Sequence, residues 1–369
     1  MKTSFISTLS IQTTMRNSIA GVQREMVKAN QEAVSGKHAD IGVTLGASTS
    51  RALDLSRDIT RIESLYSTAS LATQRLESAE LSLSKMNDLA LEIQSAILTL
   101  GNSTDETSLA TARMTMQNSL DAFTSFANTA VQGEYIFAGI NTDVKPMQDY
   151  FAPGSPAKAA FDTELNYYMS SQVPPVASLS AMTEDQMNGF LDDLEAKFNG
   201  TATLTSPPHP AALNGQDLWT TFFSSASDEN MKSRVSSTEV VESSTNANSA
   251  GMRNFAFASI ISMELLQPNM DAKAREAVSA RTGAVIAKAM NGVDSINQQR
   301  TMVGVYTERV SKAEERLEAQ KDILVKGLGD MENVDPEEAA TRLNTMKTLL
   351  ETAYTVTARI QQLSLANFL

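Results

Sequence analysis

His38 and His209 are the only imidazoles in a chain of 369 residues that contains no cysteine. General-base, thiolate and transition-metal chemistry draw chiefly on these two residue types, and the two histidines lie far apart in sequence. His38 follows Gly36-Lys37 at an expected helix end, where it reads as a polar loop residue. Asp192, Asp193 and Glu195 cluster on one expected helix. Adjacent helical positions point in different directions, so the three read as a solvated face rather than a cation site. Serines are abundant, but none stands in a nucleophile motif, and no phosphate-binding loop or His-Glu-x-x-His run occurs. The sequence therefore predicts no catalytic residue, no metal ligand, no cofactor and no enzyme.

The elements that carry these residues differ along the chain. Lys and Arg number 30 against 43 Asp and Glu, a formal charge of −13. That deficit of cations argues against a nucleic-acid backbone as partner. Residues 140–250 hold 14 acidic and 5 basic side chains, a net of −9, together with eight of the ten prolines. The flanks are near neutral and poor in proline. Such a shift in composition predicts an inserted segment between two flanks of one body. The start, Met-Lys-Thr-Ser-Phe-Ile-Ser-Thr, carries no apolar run of signal-peptide length, so any export is expected to need no cleaved signal. Phe255–Leu266 is the most apolar stretch and is too short to span a bilayer, so no membrane insertion is expected.

In the first flank Ile11, Met15, Ile19, Val22, Met26, Ala29 and Ala33 fall at spacings of three and four, one narrow stripe on a helix that Gly36 would end. Residues 47–100 contain neither Gly nor Pro. If Leu55–Leu100 is one helix, it extends for roughly 70 Å at 1.5 Å per residue. A third helix is expected to open at Ser103 with Glu106 completing a capping box. In the second flank, helices are expected over 252–266, 272–299 and 304–327. A last helix opens at Asp335-Pro336-Glu337-Glu338 and carries the stripe Leu343, Met346, Leu350, Ala353, Val356, Ile360 and Leu363. Periodicity alone fits an ordinary bundle as well as a pair of terminal helices that need a partner. Strong patterning at both ends of the chain favours the pair, because termini are normally frayed.

The middle segment begins where the pattern changes. Gly133–Gly139 reads as a short strand with Tyr135 and Phe137 on one face. One helix is expected inside the segment, opened by the Thr183/Gln186 capping box, faced by Met187, Phe190, Leu191, Leu194 and Phe198, and ended by Gly200. Residues 233–247 are expected to supply one or two strands. The fold class is then mainly α: a long helical coiled-coil or bundle rod built from both chain ends, with a small inserted α+β domain. The expected divisions are 1–36 with 335–369 as paired terminal helices, 37–139 with 251–334 as a helical rod domain, and 140–250 as the variable insert.

Four stretches together resemble the flagellin superfamily, and within it the hook–filament junction members. These are Val34-Ser35-Gly36-Lys37 closing the first helix; Gly133-Glu134-Tyr135-Ile136-Phe137-Ala138-Gly139 with Asn141-Thr142-Asp143; Asn246-Ala247-Asn248 with Arg253-Asn254; and Asp335-Pro336-Glu337-Glu338 leading to the Leu363–Leu369 ending. The resemblance implies a structural, non-catalytic part of an extracellular flagellum. It implies export by the flagellar type III apparatus and assembly as a ring or helical oligomer of the chain itself. The partners implied are the first hook-associated protein, flagellin, and a cytoplasmic export chaperone that covers the C-terminal helix. A filament flagellin and a cytosolic coiled-coil scaffold are the two alternatives.

Overall fold

The computed structural model describes residues 8–100 and 105–366. The elements in chain order are α1 (Thr8–Ser35), α2 (Ile41–Leu45), α3 (Thr49–Leu100), α4 (Glu106–Ala127), β1 (Ala130–Val131), β2 (Glu134–Tyr135), α5 (Pro156–Ser171) and α6 (Glu184–Phe198). They continue with β3 (Lys232–Arg234), β4 (Val240–Glu242), α7 (Ala250–Leu265), α8 (Ala272–Asn291), α9 (Ile296–Glu332) and α10 (Pro336–Ala366). The fold is mainly α, as expected, with two small antiparallel sheets, β1–β2 and β3–β4. Two compact units result, Met1–Ser64 with Leu317–Leu369 and Leu65–Arg316. The divisions fall inside α3 and α9, whereas the sequence reading drew its lines at the loops near 37 and 334.

In the unit formed by the two chain ends, α1 packs against α10. Gly36 adopts φ +69° and stops α1, with its N–H still bonded to the Glu32 carbonyl at 2.9 Å. Asp335 caps α10, its carboxylate accepting the Glu337 N–H at 2.8 Å, and Pro336 occupies the first helical position where no N–H is needed.

In the other unit, α7 is the central element. Thirteen of its sixteen residues are buried, as expected of a helix apolar on every side. Ser259 and Ser262 sit in that interior because their hydroxyls bond carbonyls one turn back, at 2.9 and 2.5 Å. Helices α4 and α8 flank it, and Phe255 stacks on Phe123 of α4 at 4.3 Å. The middle segment shares this core: Phe198 lies 5.3 Å from Phe257, and Trp219 and Phe223 stack beside it.

Several expectations are corrected. Helix α4 begins at Glu106 with Asp105 as its cap, accepting the Ser108 N–H at 2.8 Å; the expected cap, Ser103, lies outside the described residues. The strand expected over 133–139 is only the two-residue β2, and Ile136, Phe137 and Ala138 turn inward and are all buried. The helix expected over 272–299 stops at Asn291. Gly292 is extended there, Asp294 takes φ +54°, and a Cβ on Gly292 would lie 2.6 Å from the Lys288 carbonyl oxygen. The break expected between 299 and 304 is absent: α9 runs through it from Ile296 to Glu332, and Gly304 lies inside with open space beside it. The middle segment holds two α-helices rather than one, the unexpected one being α5, opened by Ser155 and Pro156. In α6 the capping box and the fully buried face stand as expected.

Candidate assembly interface

Seam residues Ile11, Met15, Ile19, Val22, Met26 and Ala33 are half-buried, and Ala29 is fully buried. On α10, Leu343, Met346, Leu350, Ala353 and Ile360 are half-buried, Val356 is 40% exposed, and the Leu363 side chain lies outside the described residues. Thr357 takes the inward place next to Val356, its hydroxyl 3.8 Å from the Met15 sulfur. The two stripes thus meet, antiparallel, with Gln23 Nε2 bonded to the Tyr354 hydroxyl at 2.9 Å further along.

Pairing leaves further apolar surface uncovered. Val27 and Val34 stay 63% and 82% exposed, and they stand seven residues apart on α1. Leu349 and Val356 have the same spacing on α10 and are likewise exposed. A spacing of seven keeps side chains on one line of a helix. Each helix therefore shows one stripe to its partner and a second line to the outside.

At the base of the pair, the turn after α1 runs antiparallel to the turn before α10. The His38 N–H donates to the Glu332 carbonyl and the Val334 N–H to the Gly36 carbonyl, both at 2.9 Å. Lys37 Nζ reaches the Glu332 carboxylate at 2.9 Å. Glu32, only 7% exposed, accepts from the Ala39 N–H at 3.2 Å and from Arg342 at 3.1 Å, with His38 Nδ1 at 3.8 Å. His38 is thus a polar loop residue, as expected, and a partly buried member of this knot. Neither Glu32 nor Arg342 was among the expected seam residues. The readable signal was a carboxylate three positions after Ala29, inside the apolar stripe.

The remaining candidates are structural. Asp192 and Glu195 pair with Arg281 at 2.5 and 2.6 Å, and Glu195 also pairs with Lys288 at 2.8 Å. Asp192 and Glu195 thus join α6 to α8; of the face expected to be solvated, Asp192 stays exposed and Glu195 does not. Burial alone would raise the Glu195 carboxyl, but Lys288 and Arg281 outweigh it and hold the group below the ordinary carboxylate value. His209, buried, lies 2.9 Å from Glu164, which is itself buried and bonded to Lys197 at 2.7 Å. Burial opposes the Lys197 charge, and the hydrogen bonds it donates to Asp193 and Glu164 overcome it, so its ammonium titrates above the ordinary value. Among the described residues no group of three or more His, Cys, Asp or Glu could hold a metal ion, and no helix is long and apolar enough to cross a membrane.

Comparison with known families and structures gives three results. The model of the bacterial flagellin N-terminal helical region matches residues 6–142, and that of the C-terminal helical region matches residues 284–369. No curated protein matches the chain in sequence. Among solved structures, the chain is similar to a putative flagellar hook-associated protein from Vibrio parahaemolyticus. The TM-score is 0.46 at 11% identity, covering 77% of this chain and 97% of that one.

Proposed function

Since the chain belongs to the flagellin superfamily and is a structural component of the bacterial flagellum, we propose that it is the adaptor at the hook–filament junction. Proteins of this family are structural; they self-assemble into polymers and associate with other flagellar proteins. The observation that carries the reading is the second apolar line on each terminal helix, Val27 with Val34 and Leu349 with Val356. Isolated helices of this kind are poorly stabilised. Neighbouring copies that cover those lines convert exposed apolar area into contact, at about 25 cal/mol per Å².

In the proposed mechanism, residues 1–36 and 335–369 of each copy pair through the two seams, and the pairs pack laterally into a ring or helical oligomer. One side of the assembly meets the first hook-associated protein and the other meets flagellin. Residues 37–139 and 251–334 form the helical rod domain, and 140–250, with its net charge of −9, faces solvent. Torque passes through helix–helix contacts, with no chemistry at any side chain. Export uses the flagellar type III apparatus, and a cytoplasmic chaperone covers the α10 seam beforehand.

The test is fractionation of sheared flagella. An adaptor is a minor band beside the filament subunit. The matched regions are those of flagellin itself, so a filament subunit is the second reading, and a dominant band would favour it. Absence from the sheared fraction would favour a cytosolic scaffold.

A further inference from the structure

The apolar seam does not choose its own register. On α1, Met15, Val22 and Ala29 are seven apart, as are Ile19, Met26 and Ala33; on α10, Leu343 with Leu350 and Met346 with Ala353 and Ile360 repeat the same step. Sliding one helix by seven residues therefore sets apolar against apolar again. Something polar must decide between these arrangements.

We infer that Glu32 is the positioning residue that sets the register of α1 against α10. Its carboxylate joins three parts at once: it sits on α1, accepts the N–H of Ala39 in the following turn, and accepts from Arg342 on α10. The turn it holds is the one that supplies the backbone rungs from Gly36 and His38 to Val334 and Glu332. The antiparallel pairing sets 32 opposite 342 and 23 opposite 354. A slide of seven residues would bring Glu32 beside Leu349 or Asp335. The first leaves a carboxylate without its cation on an apolar surface, and the second sets two like charges together. Both are costly, so the native register is selected by the penalty on its competitors. This inference concerns the pairing within one chain and stands or falls separately from the junction assignment.

The chain has no cysteine, so spin labels can be attached at Arg24→Cys and Glu351→Cys in the full-length protein without background. Pulsed electron–electron distance measurement on the otherwise unmodified chain should give one narrow, short distance. Glu32→Leu should add a second population, displaced by about 10 Å along the pair, the length of seven helical residues. Glu32→Asp, which keeps the carboxylate and therefore both penalties, should keep a single distance. A single native distance in Glu32→Leu would overturn the inference, as would a broad distribution in the unmodified chain or a mixed one in Glu32→Asp. Loss of helical circular dichroism in Glu32→Leu, in place of a second distance, would also overturn it, since Glu32 would then hold the fold rather than the register.

Discussion

Arg253, on the first turn of α7, donates to the Asp217 carboxylate at 2.8 Å. The same guanidinium donates to the carbonyls of Phe198 and Asn248, at 3.1 and 2.9 Å, and lies over the Trp219 ring. One side chain thus ties the exit of the 140–250 segment to its own interior. Replacing Arg253 with Ala leaves two carbonyls and a partly buried carboxylate without their donor. The expected loss is about 2–4 kcal/mol, read as a lower urea midpoint. Arg253→Lys should recover only part of it, because an ammonium lacks the planar fork that serves these acceptors together.

Two glycines should respond oppositely to the same change. Gly139 adopts φ +63°, and a Cβ there would lie 2.4 and 2.5 Å from the backbone oxygens of Glu229 and Ser227. Gly139→Ala should cost at least about 2 kcal/mol. Gly304 faces open space within α9, so Gly304→Ala should stabilise by about 0.5–1 kcal/mol. Denaturant midpoints of the two variants decide the matter, and equal shifts would contradict the local geometry.

The α6–α8 ion pairs make stability depend on acid. Glu195 has a folded pKa below its unfolded value, about 4.3 for a free glutamate. Its contribution is therefore complete above that value and is lost as pH falls through the lower, folded one. Urea unfolding of the wild type and Glu195→Gln should differ most near neutrality and converge in acid. A difference that stays constant down to pH 3 would exclude this linkage.

Burial is unevenly shared between the units, and opening should follow it. Among the described side chains of α1 and α10 only Ala29, Glu32 and Ala339 are buried, whereas α7 is buried almost throughout. Local unfolding is favoured where few apolar contacts hold a segment. In the free monomer, limited trypsin treatment should cut first at Arg16, Arg24, Lys28, Lys347 and Arg359, leaving a fragment close to 29–347. Early cleavage within that fragment while both ends stay intact would contradict this order.

What could be read from the sequence depended on whether charge intruded on the apolar pattern. Helix α6 was legible because its buried face is wholly apolar and its capping box is local. Helix α5 was not, because the stripe of Ala157, Ala160 and Phe161 continues into Glu164, a buried carboxylate that pairs with Lys197 and lies within hydrogen-bond distance of His209, both from distant sequence. Glu32 escaped notice within its seam for the same reason, since its partners lie in the next turn and 310 residues away. Val356 and Thr357 stand one position apart, and a threonine that faces inward cannot be told from its valine neighbour by spacing. Gly292 breaks a helix and Gly304 does not, a distinction made by the surroundings of each glycine rather than by its type.

The most direct test of the central claim is the position of the chain on intact flagella. Immunogold electron microscopy with antibody raised against residues 140–250 should label a single narrow band where hook meets filament. Label distributed along the filament, or none outside the cell, would contradict the account.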